Sequence, residues 1–191
     1  MQCAPDLRGD RPWFYGYLAA KATQAGRVTF VLPEKVAGFV NGGIGFQGPA
    51  VSTDGGQSWD WLGTETVNAN TFYYDFARAG DEVRFAVTIP YVQSNLERFV
   101  KQHGKNPLLK QSVLTKSRAG RDVELLQIGQ PGEGKQAVLL TARHHATESM
   151  ASYLLEGILA EALSDSDSAQ LFHEKYVLYV VPFVDKDGVE E

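Results

Sequence analysis

A histidine and a glutamate three residues apart, His145 and Glu148, are the residues of this sequence best suited to chemistry. They follow the apolar run Val138–Thr141 and precede a helical pattern over Ser149–Leu163. Ligands gather beyond the carboxyl ends of sheet strands, where an imidazole and a carboxylate can converge on one cation. The spacing alone is a weak signal, but the position of the pair at a strand end predicts a metal site with His145 and Glu148 as ligands, and zinc suits this donor pair.

The elements around the pair form a strand, a helix and a second strand. Val138–Thr141 is a continuous apolar and β-branched run, which predicts a buried strand that is covered on both faces. Val177–Val184 predicts the second strand, so the whole segment is expected to be a βαβ unit with a right-handed crossover. The helix between them carries apolar residues at helical spacing, namely Tyr153, Leu154, Ile158, Leu159 and Leu163.

Two alternatives remain open for the pair. His144 lies four residues before Glu148 and could replace His145 as a ligand, although strand alternation points the two rings in opposite directions. Glu148 would also be stabilised by the dipole of the following helix without any metal. Its position at a strand end, together with His145, favours the metal site.

The remaining histidines have simpler interpretations. His103 follows the amphipathic segment Tyr91–Gln102, and we expect it to be exposed at the end of a helix. His173 lies in the polar connection Ser164–Lys175 and suggests no chemistry.

Four segments of the chain occur in an order that is typical of one enzyme family. They are Ile89–Phe99, Ser117–Leu126, Thr141–Ser149 and Val181–Gly188. Together they resemble the zinc metallocarboxypeptidases, in particular the cytosolic-carboxypeptidase-like branch with an N-terminal β-sandwich. Asp185–Gly188 departs from the family pattern, because Asp-Lys-Asp-Gly stands where the family has Asn-Pro-Asp-Gly.

The resemblance implies an α+β protein with two domains. Residues 1–90 are expected to form an antiparallel β-sandwich, and residues 91–191 the first part of an α/β mixed-sheet carboxypeptidase domain that is incomplete. It also implies zinc as the cofactor, held by His145 and Glu148, and hydrolysis of the C-terminal peptide bond of a peptide or protein substrate. Asp187 is a candidate to orient the ring of His145.

The same resemblance places the catalytic residues elsewhere. The family's third ligand (a His), its general-base Glu and its oxyanion-stabilising Arg are expected beyond Glu191, so no catalytic residue is assigned within the chain. We therefore expect this sequence to be the front portion of a longer enzyme and to be inactive by itself. The preferred C-terminal side chain of the substrate is not indicated.

The first ninety residues have the composition of short strands. We predict strands at Arg27–Leu32, Glu65–Val67, Thr71–Phe76 and Glu82–Ile89, with turns at 41–43, 54–56 and 79–81. Arg78–Asp81 is expected to turn the last hairpin of the sandwich. Ser52–Trp59 matches the Asp-box pattern Ser-x-Asp-x-Gly-x-x-Trp, for which a structural turn is favoured over sugar binding.

Composition excludes several classes of function. The net charge is −5 and no long Lys/Arg cluster occurs, so no nucleic-acid partner is expected. No apolar stretch approaches the roughly 20 residues that span a bilayer. Cys3 is the only cysteine, so an intrachain disulfide is excluded, and both a cytoplasmic chain and an exported chain without its signal fit the sequence. The oligomeric state is not indicated.

A different class of function stays open from the sequence alone. The chain could be a non-catalytic module that binds protein or glycan on a metallocarboxypeptidase-like scaffold, since a fold does not decide function. The feature that separates the two is a third His ligand and a general-base Glu in the continuing chain. A serine hydrolase is disfavoured because the sequence has no Gly-x-Ser-x-Gly elbow.

Overall fold

The computed structural model describes residues 16–32, 44 and 47–190, and the chain divides into two compact units, Met1–Pro90 and Tyr91–Glu191. Cys3 and the turn predicted at 41–43 lie outside the described residues. Across the described ranges, no helix is long and apolar enough to cross a membrane.

The described part of the first unit consists of two antiparallel sheets. Its strands are β1 (Tyr17–Lys21), β2 (Gly26–Val31), β3 (Ala50–Ser52), β4 (Asp60–Trp61), β5 (Val67–Asn68), β6 (Thr71–Phe76) and β7 (Glu82–Ala86). One sheet has the order β1-β7-β3-β4 and the other the order β2-β6-β5.

The core of this unit lies between the two sheets. The rings of Phe30 and Phe72, from one sheet, pack on Phe85 of the other at centroid distances of 4.9 and 5.1 Å. All three rings are fully or almost fully buried. Two sheets that share one core form a β-sandwich, as the sequence predicts.

Two details of the predicted strands are wrong. Arg78–Asp81 does not turn a hairpin, because β6 pairs with β2 and β5 whereas β7 pairs with β1 and β3. The turn therefore carries the chain from one sheet to the other. Glu65 lies in a short 3₁₀ helix, Thr64–Thr66, and only then does β5 begin.

The Asp-box forms the turn between β3 and β4, which pair with each other. The carboxylate of Asp54 accepts hydrogen bonds from the amides of Gln57 and Ser58 and from the hydroxyls of Ser52 and Ser58, at 2.6–3.0 Å. These bonds hold the pKa of Asp54 well below its usual range. Trp59 donates its indole N–H to the carbonyl of Gly56 at 3.1 Å. Local partners thus account for both side chains without any ligand.

The described residues of the second unit form four helices and one mixed sheet. The helices are α1 (Gln93–His103), α2 (Ser149–Ala162), α3 (Asp167–Lys175) and α4 (Lys186–Glu190); the strands are β8 (Leu109–Lys116), β9 (Asp122–Ile128), β10 (Gln136–Thr141) and β11 (Tyr176–Val181). The sheet order is β10-β11-β9-β8, with β10 parallel to β11 and the other pairs antiparallel.

The predicted β10-α2-β11 unit is present, but the burial of its strands differs from the prediction. β11 is largely buried, and it packs with α1 and α2 around Leu126, Leu159 and Phe183. β10 is largely exposed, with Leu139 at 63%. The expectation that β10 is covered on both faces is wrong for the described residues, because only Val138 and Leu140 on one face pack against the core and the alternate residues are exposed.

Two histidine environments also differ from the prediction. His103 is half-buried at the end of α1, where its ring lies 4.5 Å from that of Phe99. His173 lies in α3 rather than in an irregular connection, and its Nε2 is 2.7 Å from the carbonyl oxygen of Ala162. Ser166 starts α3 by accepting the amide of Ala169, a normal N-cap bond.

Candidate metal centre

The candidate site lies where β10 ends, beside the exit of β11. Beyond the paired strands, the amide of Ala142 donates to the carbonyl of Val181 at 3.1 Å, and that of Val184 donates to Ala142 at 3.0 Å. The two exit segments therefore continue side by side after the strands themselves have ended. This is the sheet edge at which parallel strands present their carboxyl ends.

His145 and Glu148 are in direct contact in the turn between β10 and α2. Nδ1 of His145 lies 2.8 Å from Oε1 of Glu148, and the backbone amide of His145 donates to Oε2 at 3.1 Å. Their side chains are 71% and 42% exposed, so a cation from solvent can reach both. The turn thus places an imidazole nitrogen and a carboxylate oxygen together at an accessible point.

His144 points elsewhere. Its Nε2 lies 2.8 Å from the hydroxyl of Thr141, which is three residues earlier and ends β10. Of the two neighbouring imidazoles, the structure brings His145 rather than His144 into contact with Glu148.

The pair is also coupled electrostatically. The hydrogen bond with His145 lowers the pKa of Glu148, and the same bond raises the pKa of His145, with a smaller contribution from the charge of Asp185. Both shifts favour a charged carboxylate beside a protonated imidazole. A metal ion that binds both side chains would take the place of the proton between them, as metal ligands must be deprotonated.

Arg143 fixes the backbone that carries the pair. It has a positive φ of 56°, which is uncommon for a residue with a side chain. Its buried guanidinium donates to the carbonyl of Tyr91 at 2.6 Å, to the hydroxyl of Ser152 at 3.3 Å, and to the carbonyl of Ala146. These bonds tie the turn to the segment before α1 and to α2 itself.

The structure places the acidic residues after β11 differently from the prediction. Asp187 does not orient His145, because its carboxylate accepts hydrogen bonds from the hydroxyl of Ser117, the guanidinium of Arg121 and the amide of Ala119. These bonds lower the pKa of Asp187 to about 2. Asp185 is the acidic residue that reaches the turn, where it accepts the amide of Ala146 at 3.2 Å.

Sequence reasoning missed Arg143 and Asp185. A charged residue within the apolar and small residues that end a strand was the available signal for Arg143, since arginine is rarely buried without a partner. The only signal for Asp185 was its place in the Asp-Lys-Asp-Gly turn after β11.

The donor chemistry fits zinc, but only in part. Zinc binds imidazole nitrogen and carboxylate oxygen, and a catalytic site normally has three protein ligands. Among the described residues there is no group of three or more His, Cys, Asp or Glu side chains that could hold a metal ion. The turn therefore offers two side chains of the kinds that bind zinc, which is fewer than a catalytic site normally has.

The family model for zinc carboxypeptidases matches residues 96–191, which is half of the chain. The chain belongs to the zinc carboxypeptidase family. The match contains the whole β10-α2-β11 unit together with His145 and Glu148.

The relatives agree with this membership. The chain is 35% identical over 129 residues to cytosolic carboxypeptidase 2 of Xenopus tropicalis and 34% identical over 148 residues to the human cytosolic carboxypeptidase 2. These matches cover 62% and 72% of this chain, but only 13% and 16% of the two relatives.

A solved structure shares the fold across both units. A metallo-carboxypeptidase from Burkholderia cenocepacia superposes with a TM-score of 0.78 at 22% identity. The superposition covers 98% of this chain and 50% of that protein. The chain thus spans about half of this metallo-carboxypeptidase and a smaller share of the cytosolic carboxypeptidases.

Proposed function

We propose that the full protein is a zinc-dependent carboxypeptidase that hydrolyses C-terminal peptide bonds, with His145 and Glu148 as two of its zinc ligands. The observation that carries the proposal is the 2.8 Å contact between Nδ1 of His145 and Oε1 of Glu148 at the end of β10. Membership of the zinc carboxypeptidase family supports the same reaction.

The proposed zinc site needs His145 and Glu148 together with residues outside the described ranges. When bound at such a site, zinc polarises a carbonyl oxygen and lowers the pKa of a bound water. His145 and Glu148 would hold the ion, and the hydrogen bonds of the Arg143 guanidinium keep their turn in place. A third ligand, a general base and an oxyanion donor complete such a site, and we expect them outside the described residues.

The proposal is tested on the full protein by elemental analysis and by peptide hydrolysis. We expect about one zinc per chain, and release of C-terminal residues from a mixed peptide library that a chelator abolishes and zinc restores. The double variant His145→Ala/Glu148→Ala should lose both the zinc and the activity. Retention of stoichiometric zinc by the double variant would refute the ligand assignment.

His144→Ala is the matched control, because His144 is exposed, adjacent in sequence and bonded to Thr141 rather than Glu148. It should keep its zinc. If His144→Ala loses the metal while His145→Ala retains it, the wrong imidazole has been assigned. A full protein that is inactive across the library would instead favour a non-catalytic binding module.

A further inference from the structure

The segment after β11 is built against the turn that carries His145 and Glu148. The amide of Asp185 donates to the carbonyl of Arg143 at 2.8 Å, next to the bond between Val184 and Ala142. Residues about forty positions apart in the sequence are thereby held backbone to backbone.

The carboxylate of Asp185 spans the gap between the two segments. Its Oδ2 accepts the amide of Ala146 and its Oδ1 accepts the amide of Gly188, each at 3.2 Å. Ala146 lies between His145 and Glu148 in the chain. One side chain therefore holds the peptide group that sets the separation of the two proposed ligands.

The approach of the two segments depends on a glycine. A Cβ atom on Gly188 would lie 2.9 Å from the Cβ of Ala146 and would also collide with the carboxylate of Asp185. Real Cβ atoms do not come so close, so a larger residue at 188 would push the segments apart.

Lys186, which follows Asp185, anchors the segment inside the second unit. Lys186 is 3% exposed, and its ammonium donates to Glu124 on β9 at 2.9 and 3.0 Å and to Gln93 on α1 at 2.6 Å. Glu190 adds a further contact at 2.7 Å. Separating this ammonium from Glu124 would leave an uncompensated charge in the interior, which is strongly destabilising, so the backbone at 186 is fixed. Asp185, one residue away, is fixed with it.

We propose that Asp185 is a positioning residue for the turn His145–Glu148, called the zinc turn below. The buried Lys186–Glu124 ion pair holds Asp185 in place. It acts through the Ala146 amide, which its carboxylate accepts at 3.2 Å. The proposal rests on the assignment of His145 and Glu148 as zinc ligands.

The first test measures zinc affinity in the full protein by competition with a chelator of known affinity. Residues that orient metal ligands typically change the affinity about 10–100-fold, and we expect a loss in this range for Asp185→Ala. Asp185→Asn should lose less zinc affinity than Asp185→Ala. Its amide keeps one oxygen, which can accept from only one of the two N–H groups of Ala146 and Gly188. If Asp185→Ala fails to fold, the Asn variant carries the test.

Asp187→Ala is the matched control. Asp187 lies two residues further on, and its carboxylate accepts three hydrogen bonds where that of Asp185 accepts two. Its bonds come from Ser117, Ala119 and Arg121, and none comes from the zinc turn. We expect its zinc affinity to match that of the unaltered protein. Equal losses in Asp185→Ala and Asp187→Ala would overturn the proposal, since the effect would then be a general loosening of α4. Unchanged affinity in Asp185→Ala would overturn it as well.

A second test needs no zinc. Amide hydrogen exchange, measured with chelator present, should be at least about fivefold faster at Ala146 in Asp185→Ala, which is the factor that one lost hydrogen bond gives. It should be unchanged in Asp187→Ala. Equal exchange in the two variants would overturn the positioning role whatever zinc does. Faster exchange in a protein that binds no zinc would leave the positioning role standing and refute the proposed function.

Discussion

The ammonium of Lys186 lies 2.9 and 3.0 Å from the two carboxylate oxygens of Glu124, and both side chains are more than 90% buried. The pair joins α4 to β9 across the interior of the second unit. Gln93 of α1 contacts both charges, donating to Glu124 at 2.9 Å and accepting from Lys186 at 2.6 Å. Both charges are therefore hydrogen-bonded, and removing either one should lower the stability of the second unit.

Lys186→Met should destabilise the second unit by about 3–5 kcal/mol, because it leaves the carboxylate of Glu124 buried without its partner. The double variant Lys186→Met/Glu124→Gln should recover a large part of this loss, since no uncompensated charge remains. Urea unfolding followed by circular dichroism at 222 nm measures it, as the described α-helices all lie in the second unit. A double variant as unstable as Lys186→Met alone would contradict the explanation.

The Asp-box makes a separate prediction for the first unit. Trp59→Ala should lower the free energy of unfolding by about 1–4 kcal/mol, because it removes ring packing and the indole bond to Gly56. Asp54→Ala should lower the unfolding temperature as well. Trp13, Trp59 and Trp61 all lie in the first unit, so tryptophan fluorescence follows its unfolding. Stable variants that had lost binding to a glycan array would show that the turn is a binding site.

Local patterns were enough to predict the elements that position the site. The β10-α2-β11 unit follows from a β-branched run, a helical repeat and a second apolar run. Each of these patterns is local, because it depends only on residues that are close in the sequence. The sandwich of the first unit was predictable for the same reason. The choice of His145 over His144 agrees with the contact to Glu148, and metal binding by the pair stays a prediction.

Pairings between distant residues were not predictable. The turn signal at 79–81 is equally compatible with a hairpin and with a crossing between sheets, and the strand partners of β6 and β7 decide between them. β1 was missed because its sequence, Tyr-Leu-Ala-Ala-Lys, has little of the β-branched composition on which the prediction rests. Asp187 rather than Asp185 was assigned to His145, because nothing local distinguishes two acidic residues whose partners lie in different parts of the unit.

The loss of folding stability at low pH should depend on Asp187. Its pKa is lowered to about 2 by the hydrogen bonds from Ser117 and Arg121, compared with about 3.9 in an unfolded chain. A lowered pKa adds stability that is complete above the unfolded value and is lost as the pH falls through the folded value. The melting temperatures of the unaltered chain and of Asp187→Asn should therefore differ most above about pH 5 and converge near pH 2. A difference that is constant across this range would show that the carboxylate charge contributes nothing.

The 191 residues by themselves should not hydrolyse C-terminal peptide bonds, whereas the full protein should. Two ligands hold zinc weakly, and the described residues offer no third His, Cys, Asp or Glu beside His145 and Glu148. Loss of one oxyanion donor alone lowers rates about 10²–10³-fold, so a site without its third ligand, base and oxyanion donor should have no measurable activity. Both proteins are assayed with the same peptide library, with and without a chelator. Chelator-sensitive release of C-terminal residues by the 191 residues alone would show that the missing groups lie within the chain after all.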